Sequence, residues 1–422
     1  MKKNQLADKL VNNSYSFAIL KKGMVTVCSI IFVSILSRYL GPSLKGEYST
    51  YMSWSSILVI IMQMGFFKLY PNYRRRNEEK DCKNIFFSIS IYKAIAFGLF
   101  ILLSSWVLAR FGINPIFPVT VLLNMLQGEY LFLTLVDNIK YQNIISIIIY
   151  ALNVLDILLL YLFAAPSVTY VFVILIIRDL AAIVLCTVTM KYKLVISKTV
   201  FEVVKELIGI SFFPVIAALL VEINYRVDVI FLNRMVDNYF VGLYASGVTV
   251  AEMAWMVPDV FKEILFNKTA KSDNVDEVCF SLRIAITTVL VCLVGLLAVG
   301  KPTIGLFFGS EYKDSYSVTL LIFIGVPFMA IFKVLNPLIQ ARGEWKIYIL
   351  ALLAAAGSNI ALNYVLIRIF GMYGAAIASI VSYSISGISL LVYFSRTFRV
   401  RYRDCILVHK EDIRKIINFV RR

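Results

Sequence analysis

Leu36-Ser37-Arg38-Tyr39-Leu40-Gly41-Pro42-Ser43-Leu44-Lys45-Gly46-Glu47-Tyr48 is the stretch that decides the fold, because the chain carries its pattern twice. Leu232-Asn233-Arg234, followed by Gly242-Leu243-Tyr244, fits the same L-x-R-x7-G-x-Y spacing 196 positions later, close to half of the 422 residues. Each copy closes one apolar run and opens the next. The apolar segments that follow keep the same offset, so the chain reads as an internal repeat. A duplicated bundle of about six membrane helices makes an interface that can open to either side of a bilayer. The repeat points to transport before any catalytic residue is considered.

Composition excludes a soluble globular protein. Hydrophobic residues make up 60% of the chain and charged residues only 16%, with a mean hydropathy of +0.80. Apolar runs long enough to cross roughly 30 Å of hydrocarbon recur at 24–40, 48–69, 85–109, 115–136, 143–163, 168–190, 207–232, 240–266, 284–300, 316–340, 347–368 and 373–394. The expected fold is an all-α integral membrane protein with about twelve transmembrane helices in two pseudo-symmetric six-helix lobes around a central cavity. Residues 191–206, with Lys191, Lys193, Lys198, Glu202, Lys205 and Glu206, form the one long polar break, and their spacing allows a short surface helix. The lobe boundary is placed there, giving residues 1–198 and 199–422, the second lobe ending in a basic cytoplasmic tail. Met1 to Leu10 is polar and the first apolar run continues into a span, so no cleavable signal peptide is expected.

The net charge of +16 raises nucleic acid as a partner, but the placement of the basic residues answers otherwise. With both termini inside, roughly three quarters of the Lys and Arg residues fall in the tails and the even-numbered loops, as the positive-inside rule requires. Arg74-Arg75-Arg76 with Lys80 and Lys83, and the tail from Arg396 to Arg422, vote most strongly. Topology and anionic lipid headgroups account for the charge, and no nucleic-acid partner is expected. The expected location is a bacterial cytoplasmic (inner) membrane with both termini cytoplasmic. Six cysteines without a CxxC spacing and a single histidine, His409, argue against disulfide, zinc and haem sites.

Charges inside the spans carry the functional reading. A charge at the centre of a membrane helix costs about 2.5–3.5 kcal/mol, so such residues face the bundle interior or a wet cavity. Four cations lie there, Lys93, Arg178, Arg226 and Lys333, accompanied by Glu129, Asp156, Asp179, Glu222, Asp228 and Glu252. Glu222 and Arg226, four apart, can pair. Adjacent helix residues point about 100° apart, so Asp179 is not expected to neutralise Arg178, which then needs an acid on another helix or an anionic ligand. Lys93 and Lys333 lie nearer the cytoplasmic ends, where they can snorkel to the surface. Asn143, Ser146, Tyr150, Asn153 and Asp156 form a polar stripe on the fifth span, and Asn359 and Asn363 repeat the pattern on the eleventh. A stripe facing lipid would leave polar groups unpaired, so a wet cavity is expected against these faces. Pro214, Pro258, Pro327 and Pro337 permit kinks in the second half, and Gly374, Ala378, Ser382 and Ser386 offer a small-residue packing face on the last span.

These residues resemble a known family. Ser37-Arg38-Tyr39-Leu40-Gly41-Pro42 with Gly46-Glu47-Tyr48 is similar to the end of the first helix in bacterial polysaccharide repeat-unit flippases, which belong to the multidrug/oligosaccharidyl-lipid/polysaccharide exporter superfamily. Gly305-Leu306-Phe307-Phe308-Gly309 with Glu311-Tyr312 and Ser315 resembles the loop before the tenth helix. Ala341-Arg342-Gly343, Asn359, Leu362-Asn363 and Gly371-Met372-Tyr373-Gly374-Ala375-Ala376 continue the pattern in order. The resemblance spans nearly the whole chain through many weak motifs, which specify fold better than substrate. It implies alternating access, with an undecaprenyl-pyrophosphate-linked oligosaccharide flipped outward for O-antigen, capsule or similar polymers. It also implies a cation-lined cavity, and a polymerase and other polysaccharide-assembly proteins as partners beside the membrane lipids.

The intramembrane set fits that cargo. Arg178, Lys93, Arg226 and Lys333 are the candidate cations for a pyrophosphate, since Arg grips phosphate with a planar fork and Lys acts as a point charge. Tyr150, Asn153 and Asn363 are candidates for sugar hydroxyls. Glu129, Asp156 and Asp228 are candidates for carrying a coupling Na⁺ or H⁺; no other cofactor is expected, and no Gly-rich nucleotide-binding loop is present. A multidrug exporter of the same fold would favour acids and aromatics, and the acids keep that alternative open. A non-transporting membrane enzyme of polysaccharide assembly is the third reading; the short exported loops and the lack of a nucleophile or metal constellation speak against it.

Overall fold

Gly41 breaks what would otherwise be one 50-residue helix. It stands before Pro42 at φ 64°, ψ 171°: the positive φ costs glycine little, and the proline ring disfavours the helical region for its predecessor. The computed structural model in which this is seen describes residues 14–77, 81–269, 275–409 and 412. The polar N-tail 1–13, Lys80 and residues 413–422 of the basic tail lie outside the described residues.

Helices are the only regular elements among the described residues. In order they are α1 Ser14–Gln63, α2 Phe66–Arg76, α3 Cys82–Arg110, α4 Phe117–Asp137, α5 Ile139–Phe163, α6 Val168–Met190 and α7 Lys198–Met235. There follow α8 Asn238–Met253, α9 Met256–Thr269, α10 Val275–Phe308, α11 Ser315–Ala341, α12 Trp345–Phe370, α13 Met372–Phe398 and the short α14 Tyr402–Ile406. Ten described helices are long and apolar enough to cross a membrane, and α8 with the start of α9, bent by 51°, makes an eleventh. The first of the ten, Leu20–Arg76, is 57 residues, about 85 Å of helix at 1.5 Å per residue and nearly three bilayer cores. The described residues thus hold ten or eleven candidate spans against the twelve read from hydropathy, and the Gly41 break lies inside the longest of them.

The chain forms two units: Met1–Leu44 with Trp54–Val215, and Lys45–Ser53 with Ile216–Arg422. In the first, α4 and α5 pack on α6, and α3 on α4. Phe172, Met125, Leu133 and Ile157 are fully enclosed there. Phe87 stacks on Tyr192 with centroids 5.0 Å apart. The start of α7 belongs to this unit. Val200, Val203 and Leu207 are buried and Tyr92 stacks on Phe201 at 5.9 Å, so residues 198–206 are the opening turns of a 38-residue helix, not a separate surface helix. The apolar i, i+3, i+7 spacing of those three residues makes the difference: it gives the segment a face to bury.

The second unit is built around α11, most of whose side chains are buried, with α13 and α10 against it. The small-residue face of α13 does what its spacing foretold. Gly374, Ala378, Ser382 and Ser386 are all buried, and a methyl group on nearby Gly387 would meet the Phe328 backbone of α11 at 2.8 Å. Pro214, Pro327 and Pro337 sit inside continuous helices. Pro258 instead follows the break between α8 and α9, in the first turn of α9 where a helical N–H has no partner to lose. The stretch 300–315 between the ninth and tenth apolar runs is mostly helix: α10 runs on through Pro302 to Phe308.

Candidate functional site

Each of the four candidate cations is paired with a carboxylate inside its own unit. In the first unit, Lys93 of α3 donates to Glu129 of α4 and, at 3.1 Å, to the Gln63 carbonyl, with its ammonium 5.4 Å from the Phe66 ring centre. In the second, Lys333 of α11 donates to Asp259 of α9 at 2.7 Å and lies 4.6 Å from the Trp255 ring centre. Both lysine side chains are only 10% exposed, so neither snorkels as the sequence suggested. An opposed carboxylate on another helix holds each ammonium, and the ring face adds to its attraction.

Arg178 corrects the sequence reading most directly. Its Nε donates to Asp179 Oδ1 at 2.8 Å and a terminal nitrogen lies 2.6 Å from the same oxygen. The Cβ directions do diverge by about 100°, but a long guanidinium arm can wrap around the helix, and in apolar surroundings the ion pair outweighs the lost rotamer freedom. Asp179 is fully buried, while the Arg178 side chain keeps 20% of its surface exposed. Arg226 pairs with Glu222 one turn back, as its spacing predicted, at 3.2 Å, and sits 3.6 Å from Glu252 of α8. Its side chain is 33% exposed, the most open of the four cations.

The candidate coupling acids are placed very differently. Glu129 is fully enclosed and committed to Lys93. Asp228 of α7 is buried and accepts from the Tyr244 hydroxyl, from Ser379 Oγ at 3.2 Å and from the Val229 amide at 2.7 Å. Asp156 is half-buried, and its Oδ2 has no partner among the described residues. Along the α5 stripe, Asn143, Ser146 and Asn153 are buried and Gln142 donates to Ser146 at 3.0 Å, whereas Tyr150 is exposed. Asn363 is fully buried at the end of an amide chain: its Nδ2 donates to Asn359 Oδ1 at 2.6 Å, and Asn359 donates to the Asn224 carbonyl at 2.8 Å.

Sequence reasoning passed over Asn224, Asp259, Ser379 and Tyr244. For Tyr244 the signal was present: it is the tyrosine of the second L-x-R-x7-G-x-Y copy, so the repeated turn itself supplies a partner to Asp228. Nothing in the local sequence marks Asp259 or Ser379, whose partners lie 74 and 151 positions away.

The polysaccharide biosynthesis protein family matches residues 13–258, more than half of the chain. The chain belongs to the polysaccharide biosynthesis protein family. The chain is 20% identical over 216 residues to the "Probable low-salt glycan biosynthesis flippase Agl15" of Haloferax volcanii, covering 49% of this chain and 46% of that one. It is 32% identical over 103 residues, 22% of each chain, to the "Multidrug export protein MepA" of Staphylococcus haemolyticus. The matches thus span less than half the length of these relatives.

Among solved structures, it is similar to the lipid II flippase MurJ in an inward closed conformation, with a TM-score of 0.69 at 14% identity over 89% of this chain and 87% of that one. A multidrug resistance MATE family transporter in its inward-facing conformation also gives 0.69, at 10% identity over 89% and 94%. The chain therefore has the two-lobed helical fold of these two structures.

Proposed function

We propose that this protein is a flippase that moves an undecaprenyl-pyrophosphate-linked oligosaccharide repeat unit from the cytoplasmic to the outer leaflet by alternating access, for O-antigen or a similar surface polymer. The observation that carries the reading is a guanidinium left partly exposed inside an apolar helix of each half, Arg178 and Arg226, in a member of a polysaccharide biosynthesis family. Each is held in position by a carboxylate, and each keeps N–H groups for a phosphate oxygen. Lys93 and Lys333 add positive potential from behind their ion pairs. Asn153, Tyr150 and Asn363 are proposed to serve the sugar side, Tyr150 directly and the two buried asparagines after a change of state.

The lobes that move are residues 1–198 and 199–422, in a bacterial cytoplasmic membrane with both termini inside. An inside-negative potential favours outward movement of an anion by about 2.3 kcal/mol per charge at 100 mV. Inward Na⁺ or H⁺ through Asp228, Asp156 or Glu129 adds to it. Cargo supply and removal call for glycosyltransferase and polymerase partners at the two faces. In proteoliposomes, purified protein should move a labelled undecaprenyl-pyrophosphate oligosaccharide out of reach of an external glycosidase within minutes. Equal protection in protein-free vesicles overturns the proposal.

A second reading, export of organic cations, draws on Glu222, Glu252 and Asp259, which outnumber the cations they pair with, Arg226 and Lys333. Uptake of a lipophilic cation by the same vesicles, without glycolipid movement, would favour it.

A further inference from the structure

Two sulfurs that the sequence sets 126 positions apart meet in the second unit. Cys279 lies near the start of α10 and Cys405 in α14, with their Sγ atoms 3.7 Å apart and both side chains buried. One guanidinium holds the segment that carries Cys405. Arg283, one turn beyond Cys279, donates Nε to Asp412 Oδ2 at 2.6 Å, one terminal nitrogen to Asp412 Oδ1 at 2.8 Å and the other to the Asp404 carbonyl at 2.5 Å. Asp412 also accepts from the His409 amide at 2.9 Å. The clamp therefore grips the chain on both sides of Cys405 and sets its sulfur over Cys279. Neither the transport reading nor the repeat uses this arrangement.

We propose that Cys279 and Cys405 form a reversible oxidation site, closed to a disulfide by a hydroperoxide, that fixes residues 402–409 against α10. The thiolate of Cys279 attacks the peroxide, the O–O bond breaks, and a sulfenic acid forms on Cys279. The departing oxygen leaves as water, taking the proton that the thiol gave up. Cys405 then attacks the sulfenic sulfur: the S–S bond forms, the S–O bond breaks, and the hydroxide leaves as a second water with the Cys405 proton. Two thiols lose two electrons, and one hydrogen peroxide becomes two waters. A dithiol reductant reverses the step by exchange.

Burial decides how the site is gated. Cys405 is fully enclosed and Cys279 is 5% exposed, and enclosed thiols react slowly. Reaction therefore begins when the segment lifts. Lifting removes Asp412 and the Asp404 carbonyl together, which leaves Arg283 without its counter-charge beside Cys279 and favours the reactive thiolate. Reclosure brings Cys405 onto the sulfenic acid. Undocking starts the oxidation, and docking completes it.

The test uses the full-length protein in nanodiscs, treated with hydrogen peroxide, blocked with N-ethylmaleimide and digested without reduction. Mass spectrometry should find a Cys279–Cys405 linked peptide, lost on adding dithiothreitol, and hydrogen exchange across 402–409 should slow several-fold in the oxidised protein. The near-isosteric Cys405→Ser variant should accumulate a dimedone-reactive Cys279. Asp412→Asn should raise the rate of that first oxidation several-fold while lowering the yield of disulfide. Oxidation confined to the exposed Cys292, with Cys279 and Cys405 still reduced, overturns the proposal. An unchanged rate in Asp412→Asn overturns the gating. The wild-type peptide map decides the first point even if a variant fails to fold.

Discussion

Gly46 and Gly242, the glycines of the two copies of the repeated turn, pack against each other within the second unit. A methyl group built on Gly46 would lie 2.9 Å from the Gly242 amide nitrogen and 2.9 Å from the Asn238 carbonyl carbon, and closer still to its oxygen. Backbone meets backbone there, so no side chain can yield. At Gly46 the two helices therefore cross where even a Cβ is too much. Gly46→Ala should destabilise the protein by about 1–3 kcal/mol, seen as a lower melting temperature in detergent. Gly23→Ala is the control: nothing lies within 4 Å of its added carbon, and its effect should stay within about 0.5 kcal/mol. Equal melting of the two variants would remove the packing argument.

Topology offers an independent check. With the basic loops inside, cysteine labelling should place Arg74–Arg76 on the cytoplasmic face and Lys313 on the outer face. Labelling of both positions from one side is incompatible with twelve crossings and with both termini inside.

The clamp of Arg283 on Asp404 and Asp412 carries a pH dependence of known sign. Hydrogen bonds from Arg283 hold the Asp412 carboxyl below the ordinary carboxylate range near 3.9; burial opposes this, and the His409 amide and both neighbouring positive charges reinforce it. A depressed folded pKa means that the stabilisation is complete above about pH 4 and is lost as pH falls through the folded value. Hydrogen exchange across 402–409 should be constant from pH 7 to 5 after correction for intrinsic rates, and should accelerate below pH 4. Arg283→Ala should show the fast exchange already at pH 7 and no further acid step.

The distribution of these features shows what one sequence exposes. Spans, repeat, small-residue face and the Glu222–Arg226 pair rest on periodicity within a helix, and a period is visible without knowing the neighbours. Lys93–Glu129, Lys333–Asp259 and Cys279–Cys405 join different helices, and only the packing reveals them. Arg178 failed for another reason. Its neighbour was judged by Cβ direction, whereas a side chain with four torsions is governed by reach. Asp228 stands between these cases, for the tyrosine of the repeated turn lies 16 positions on and points to it once the helices close.

Coupling can be separated from structure by isosteric amides. If Asp228 carries the coupling ion, Asp228→Asn should keep the neutral hydrogen bonds to Tyr244 and Ser379, stay in the membrane and lose ion-dependent flipping. Asp156→Asn and Glu129→Gln test the other two acids in the same vesicles. Glu129→Gln should also lower stability, because Lys93 would lose its charge partner in an enclosed site. Unchanged dependence on Na⁺ and on the proton gradient in all three variants would leave these acids as structural partners only.

Arg178 tests the substrate site, and its ion pair with Asp179 sets the terms. Arg178→Ala strands the Asp179 carboxylate, fully buried and with Oδ2 already unpartnered among the described residues, at a cost of about 3–5 kcal/mol if it stays charged. Lost transport in that variant alone would therefore say nothing about substrate. Arg178→Ala with Asp179→Asn removes the charge along with its partner and should recover most of the stability. If the guanidinium also grips the pyrophosphate, the recovered protein should still bind undecaprenyl pyrophosphate about tenfold to a hundredfold more weakly, the loss of one charge-assisted contact worth about 1.5–3 kcal/mol. Arg178→Lys should keep the pair with Asp179 and restore binding only in part, since an ammonium lacks the planar fork. A stable double variant that binds and flips the glycolipid at the wild-type rate would assign Arg178 to holding α6 together and would leave Arg226, the more exposed guanidinium, to receive the phosphate.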